Sequence, residues 1–243
     1  MSRKLSLPLL LAAVIAISSG CSRKAEIARA RKLEQQGQPS RALEIYKAQF
    51  ATTPEYQKSQ RADLQYHVGE CLLAMGRTRE AFSAYSHAVD IDDSHQLAHL
   101  RLGQMYLMSG SGENATQQAQ QALNKSEASL DALALLGQAA SANGNLDVAQ
   151  KAFETVLAKD PTRIKVALSY AEMLTQQGEP DRAREVLQKI AQANGIGVGL
   201  IWNASAGLRT MLSRNFIRVR FERGLCCGRR SRRRFARLQQ SHP

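Results

Sequence analysis

Small residues recur along this 243-residue chain at a fixed interval of 34 positions. One series consists of Gly76, Gly110, Gly144 and Gly178, a second of Ala81, Ala115, Ala149 and Ala183, and a third of Gly69, Gly103, Gly137 and Ala171. Three series with one period predict repeated supersecondary units that each bury their apolar surface against the next. Aromatic residues make up only 5% of the chain, which fits thin layers of paired elements better than one bulky core.

Apolar residues within a unit have helical spacing. They recur at i, i+4 and i+8 in Leu64, Val68 and Leu72, and at i, i+3 and i+7 in Phe82, Tyr85 and Val89. We therefore expect two helices per unit. The glycine series that begins at Gly76 predicts the tight turn between them, because a positive φ is costly for other residues. The small residues at Gly69 and Ala81 let the two helices approach closely.

The repeat resembles the tetratricopeptide repeat. Leu102, Gly103 and Tyr106 match the family's first helix, Ala81, Tyr85 and Ala88 match its second helix, and Pro161 matches its terminal proline. An earlier partial unit has Gly37, Ala42, Tyr46 and Pro54 at the same internal offsets, followed by about five extra residues. We place five units at residues 23–54, 62–95, 96–129, 130–163 and 164–195. The resemblance implies an all-α solenoid of antiparallel helix pairs that forms a right-handed superhelix with a concave inner face.

The resemblance also implies which residues face the concave groove, namely the second, fifth, ninth and twelfth of each first helix. In the last four units these are Asp63, Tyr66, Glu70 and Leu73; Leu97, Leu100, Gln104 and Leu107; Asp131, Ala134, Gln138 and Ser141; and Lys165, Leu168, Glu172 and Thr175. An apolar patch of Tyr66, Leu73, Leu97, Leu100 and Leu107 would suit an amphipathic helix or an extended peptide. The alternative is that some of these leucines pack under neighbouring helices.

Chaperone-tail clamps of this family hold a terminal carboxylate with Lys and Asn at these positions. Among these groove positions only Lys165 is basic, so we do not expect that activity. His95 and His99 stand four residues apart, but the sequence offers no third metal ligand. Cys71 lies beside Leu72 and is predicted to be a small buried residue. No nucleophile–base signature or dinucleotide loop is present, so we expect no catalytic, cofactor or metal site.

The first 21 residues have the layout of an export signal. Arg3 and Lys4 precede an apolar run over residues 5–17, which is followed by small residues and Cys21. The segment resembles a bacterial lipoprotein signal, which implies that Cys21 is acylated and anchors the chain to a membrane. Ser22, where Asp would favour inner-membrane retention, implies the outer membrane. The alternative is ordinary cleavage after Gly20, which would release a soluble protein.

The net charge of +12 is concentrated in the last 48 residues. Residues 22–195 carry 20 basic and 20 acidic side chains, whereas residues 196–243 carry 11 Arg against Glu222 alone. This Arg-rich segment permits three interpretations: a basic arm for anionic lipid or nucleic acid, a capping helix for the last repeat, or a disordered or frameshift-derived tail. We favour the third, in which further repeats follow Asn194. The balanced body makes nucleic acid an unexpected partner for the repeats.

These observations predict a non-enzymatic scaffold that binds a protein or peptide in its concave groove. The resemblance to tetratricopeptide lipoproteins implies a lipid-anchored protein of the bacterial cell envelope. It would face the periplasm and assist assembly of a pilus, a secretion system or a polysaccharide export machine. The alternatives are a soluble periplasmic adaptor and a binder of anionic surfaces or nucleic acid through the Arg-rich tail.

Overall fold

The computed structural model describes residues 23–125 and 129–195, which form helices joined by short turns. The first helix, α1, covers residues 23–35. The others are α2 (Pro39–Thr52), α3 (Lys58–Ala74), α4 (Thr78–Ile91), α5 (Gln96–Met108), α6 (Gly112–Lys125), α7 (Leu130–Ala142), α8 (Leu146–Lys159), α9 (Ile164–Gln176) and α10 (Pro180–Ala193). The predicted all-α repeat fold is confirmed. The signal segment, Cys21 and the Arg-rich tail lie outside the described residues.

The turn after every odd-numbered helix has the same backbone geometry. A glycine with φ between +71° and +82° stands there in each case, at Gly37, Gly76, Gly110, Gly144 and Gly178. The residue after the glycine donates its N–H to a carbonyl five residues earlier, as Arg77 does to Leu72 and Ser111 to Tyr106, at 2.9 and 2.8 Å. This is a Schellman ending, which satisfies the last carbonyls of one helix while the chain reverses direction.

Close packing within a repeat depends on the small residues. Ala81, Ala115, Ala149 and Ala183 have no solvent exposure. Gly69 lies against the buried ring of Tyr85, where an added Cβ would stand 2.5 Å from Tyr85 Cε1. The helices of one repeat can therefore approach only because these positions carry minimal side chains.

The chain divides into two compact units after Ala152. In the first unit, successive helices from α2 to α7 pack against one another, and α5 also contacts α7. One of its core clusters contains Leu43, Tyr46, Leu72 and Tyr85 among other residues of α1 to α5. In the second unit, α9 packs against α10 and buries Leu174 and Leu187 completely.

Helix α3 begins at Lys58, four residues before the unit start predicted at residue 62. The extra residues after Pro54 form a short turn and the first turn of α3. Arg61 holds this segment against α2, since its Nη1 donates to the Thr53 carbonyl at 2.8 Å and its guanidinium lies 4.1 Å from the Phe50 ring centre. Among the described helices none is long and apolar enough to span a membrane.

Candidate protein-binding groove

The first unit contains an open groove of about 830 Å³ between α1 and α3, which we call the α1–α3 groove. Its volume is in the range of ordinary ligand sites. The groove is lined by Arg23, Lys24, Ile27, Ala28, Arg31, Lys32, Gln35, Thr53, Gln57, Gln60, Asp63, Leu64 and His67. Of the groove residues predicted from the sequence, only Asp63 is among them.

The first repeat therefore supplies groove residues that the sequence analysis missed. Lys24 and Arg31 precede Asp63 and Glu70 by 39 residues, as Gly37 precedes Gly76, so they occupy the equivalent second and ninth positions. The extra residues after Pro54 interrupt the 34-residue period, and the predicted groove positions all lie beyond that interruption. Extending the same positions into the partial unit would have found both basic residues.

The predicted apolar patch is wrong as a continuous accessible surface. Leu100 is only 7% exposed and belongs to a core cluster with Ala119, Ala132 and Leu135. Leu107 packs against the same cluster, while Tyr66 and Leu73 pack against the core of α1 to α5. Leu97 alone of the five remains half exposed. The contact between α5 and α7 explains the difference, because the next first helix covers part of the face that the spacing assigns to solvent.

A polar network replaces that patch along α3, α4 and α5. Tyr85 Oη donates to Glu70 Oε1 at 2.5 Å, and Arg101 donates to both Glu70 oxygens at 2.6 and 2.7 Å. Arg101 Nη1 also donates to Gln104 Oε1 at 3.1 Å. The hydrogen bonds to Glu70 raise the pKa of Arg101, whereas burial, followed by the bond to Glu70, raises the pKa of Tyr85. Glu70 thus positions neighbouring repeats, and Gln104 supports Arg101 from the same helix.

His95 connects the second and third repeats. Its Nδ1 accepts the Ala98 N–H at 3.1 Å and so caps α5, which leaves Nε2 to donate to Asp63 Oδ1 at 2.9 Å. The hydrogen bond with His95 lowers the pKa of Asp63. Tyr66 lies against the imidazole, with ring centres 5.4 Å apart. Asp63 therefore lines the groove as a carboxylate that already accepts a hydrogen bond from His95.

A second polar cluster lies beneath the α1–α3 groove. Glu34 accepts hydrogen bonds from Tyr46 Oη at 2.8 Å and from Cys71 Sγ at 3.4 Å. Burial raises the pKa of the Cys71 thiol to about 12, and it also lowers the pKa of His67, which stacks on the Tyr46 ring. His67 Nδ1 lies 3.5 Å from Glu34 Oε2 without hydrogen-bond geometry. Glu34 is thereby turned toward the interior of the repeat.

The remaining predicted positions lie on α7 and α9. On α7, Asp131 is exposed and Gln138 is half-buried; on α9, Lys165 and Glu172 are exposed. The second unit has a smaller groove of about 440 Å³, lined from α8, α9 and α10 by residues such as Glu154, Tyr170 and Ile190. None of the predicted groove positions lines it.

The described residues contain no group of three or more His, Cys, Asp or Glu side chains placed to hold a metal ion. His95 and His99 have different partners. His99 lies 2.8 Å from Gln118 Oε1 through Nδ1 and 3.0 Å from the Asp93 carbonyl through Nε2. His95 therefore caps α5, whereas His99 packs α5 against α6 and the turn that precedes α5.

Two family models match the chain, and both describe the tetratricopeptide repeat. One matches residues 62–95 and the other residues 140–195. Both of these segments are thus similar to tetratricopeptide repeats. The matched segments include the glycine turns at Gly76, Gly144 and Gly178. Among curated protein sequences, no match to the chain was found.

Solved structures give the same fold. A tetratricopeptide repeat protein from Parabacteroides merdae superposes with a TM-score of 0.66 at 18% identity, covering 80% of this chain and 75% of that one. MamA from Desulfovibrio magneticus gives 0.60 at 19% identity, with 70% and 93% covered. YrrB, described as a repeat protein with an unusual peptide-binding site, gives 0.55 at 21% identity, with 69% and 84% covered. At these identities the likeness shows the fold alone.

Proposed function

We propose that this protein is a non-enzymatic scaffold that binds a segment of a partner protein in the α1–α3 groove. The groove itself carries this proposal, since it is concave and has side chains from two successive repeats along its walls. Proteins of this repeat family mediate protein–protein interactions, and YrrB is an example with a peptide-binding site. Extended or helical segments suit such grooves because they expose side chains to both walls.

A rigid support beneath the groove favours this role. Glu34, Tyr46 and Cys71 are joined by hydrogen bonds under α1, and Asp63 is held by His95 on the α3 side. A groove whose walls are already fixed loses little conformational entropy when a partner binds. The network therefore supports the two helices that carry most of the lining side chains.

The proposed setting is the bacterial cell envelope. The signal-like segment that ends at Cys21 supports a lipid anchor, with the outer membrane and a periplasmic orientation as its destination. Cys21 precedes Arg23 of the groove by two residues, a reach of at most about 7 Å. An anchored chain would hold the groove close to the membrane surface, where a pilus, secretion or polysaccharide export component would be assembled.

Site-specific photo-crosslinking in cells tests the binding role. A photoreactive amino acid would replace Gln60 in the groove or Leu97 on α5, and the controls would carry it at the exposed Lys47 of α2 or Gln120 of α6. We expect a discrete crosslinked protein from the Gln60 position, which mass spectrometry then identifies, and none from the two controls. Identical products from all four positions, or none from Gln60, would show that the groove is not a binding site.

A further inference from the structure

We propose that the α1–α3 groove binds an acidic, extended segment of the partner through Lys24, Arg31 and Lys32. The inference rests on the proposed function and adds the chemistry of the ligand. The charge of the groove lining is its first support. Four of the lining side chains are basic, whereas Asp63 is the only carboxylate among them. That carboxylate already accepts a hydrogen bond from His95.

Three basic side chains of the groove have no acidic partner among the described residues, whereas Arg29, elsewhere on α1, pairs with Glu26. Within the described residues, no carboxylate oxygen lies within 4.0 Å of the charged groups of Lys24, Arg31 or Lys32, and all three residues are exposed. Glu34 lies on the same helix as Arg31, but it is engaged by Tyr46 and Cys71 beneath the groove. The positive charge of α1 is therefore available to a ligand, although the chain from residue 22 to 195 is neutral as a whole.

The shape of the groove favours a peptide over a flat anionic surface. Its floor includes Leu64, which is 3% exposed, and the partly buried His67. A bilayer surface can reach exposed lysines on a rim, but it cannot follow a concave wall to such residues. Gln35 and Gln60 add amide groups that can both donate to and accept from a peptide backbone. The lining thus combines cations for acidic side chains with amides for main-chain groups.

Fluorescence anisotropy with labelled synthetic peptides tests this inference on the full chain. The acidic probe is a peptide of about twelve residues that alternates Glu with Ser, a length that spans both walls when extended. The matched probe has Gln in place of Glu. Both ends are blocked in both peptides, so that no terminal carboxylate contributes. We expect the Glu peptide to bind at least about tenfold more tightly than the Gln peptide, and its affinity to fall with added salt because exposed charges are screened.

Paired variants locate the binding. The Lys24→Gln, Arg31→Gln double variant removes two cations from the groove. The Lys47→Gln, Arg79→Gln double variant removes two exposed cations from α2 and α4, outside the groove. We expect the first to weaken binding of the Glu peptide about tenfold, as two exposed ion pairs would, and the second less than about twofold. Equal weakening by both variants would overturn the inference, since it would show that the Glu peptide is attracted by the protein's exposed cations in general and not by the groove.

Two further outcomes separate this inference from the proposed function. If the Gln60 crosslink persists while the Glu and Gln peptides bind with equal affinity, the groove binds a partner but not an acidic one. The inference alone is then wrong. A sedimentation assay with vesicles of anionic phospholipid tests the bilayer directly. Loss of vesicle binding in the Lys24→Gln, Arg31→Gln variant, together with no binding of the Glu peptide, would assign these cations to the membrane and overturn the inference.

Discussion

At the residue scale, single polar groups connect helices that belong to different repeats. Glu70 of α3 accepts from Tyr85 of α4 and from Arg101 of α5, so one carboxylate contacts three helices. His95 does the same for α5 and α3 through its cap and its bond to Asp63. Because each partly buried polar group needs its partners, these contacts fix the register between repeats more strictly than apolar packing would.

The tight approach at Gly69 gives a prediction about stability. Gly69→Ala places a Cβ within 2.5 to 2.8 Å of three atoms of the Tyr85 ring, which has no solvent exposure and is held by a hydrogen bond to Glu70. Overpacking of this kind costs about 1–3 kcal/mol, and the better helix propensity of Ala offsets about 1 kcal/mol of it. We expect a net loss of up to about 2 kcal/mol in the free energy of unfolding, measured in urea.

A second substitution separates the steric cause from a general effect. Gly69→Ala should lower the free energy of unfolding much less in a Tyr85→Leu background than in the unsubstituted protein, because the ring that clashes is then absent. If Gly69→Ala costs the same in both backgrounds, the contact with Tyr85 is not the reason for the glycine.

His67 predicts how stability depends on pH. Burial lowers its pKa below the ordinary value of 6.5, Arg31 acts in the same direction, and Glu34 and Asp63 oppose them. The unfolded chain then binds a proton at a pH where the folded chain does not. The free energy of unfolding contributed by His67 is therefore present above 6.5 and is lost as the pH falls toward the lowered value.

We expect the decline in stability between about pH 7.5 and about pH 5 to be smaller in His67→Gln than in the unsubstituted protein. Urea unfolding at several pH values measures it. The exposed His87 is the matched control, and His87→Gln should leave the decline unchanged. A decline of equal size in the His67→Gln variant would contradict the assignment to this imidazole.

At the element scale, the repeated glycine turn determines where each first helix ends. Gly110 has a φ of +79° and no atom within 4 Å of an added Cβ, so a substitution there tests the backbone alone. We expect Gly110→Ala to cost about 1–2 kcal/mol in the free energy of unfolding, and Gly110→Asn clearly less, because Asn tolerates the left-handed conformation better. An Ala variant as stable as the Asn variant would show that this turn can relax to negative φ.

The same turns show what the sequence could predict. The sequence predicted a positive φ at Gly76, Gly110 and Gly144. That conformation favours glycine, and glycine recurs there every 34 residues. The exposure of Leu100 was not predictable in this way. Spacing gives a residue's direction around its own helix, whereas its burial depends on how closely the next helix packs. Lys24 and Arg31 were missed for a simpler reason, since the extra residues after Pro54 displaced them from the period.

At the scale of the whole molecule, the basic lining of the α1–α3 groove lies close in sequence to the proposed anchor at Cys21. The repeats over residues 22–195 are neutral, but their basic side chains on α1 gather at the end of the body that follows Cys21. A lipid anchor at Cys21 would confine the α1–α3 groove to the vicinity of the membrane, and confinement raises the effective concentration of any partner held there. Anchoring and groove binding would then support one another without a further contact.

The anchor is tested by phase separation of the full chain in detergent. Acyl chains contribute about 0.8 kcal/mol per buried CH₂, so a multiply acylated Cys21 should carry the protein into the detergent phase. We expect Cys21→Ser to move it to the aqueous phase, whereas Cys71→Ser, which changes a buried thiol in α3, should leave the partition unchanged. Mass spectrometry of the mature amino-terminal peptide reads the acylation directly. An unmodified Cys21 at the mature terminus, with the protein in the aqueous phase, would instead identify a soluble adaptor released by cleavage after Gly20.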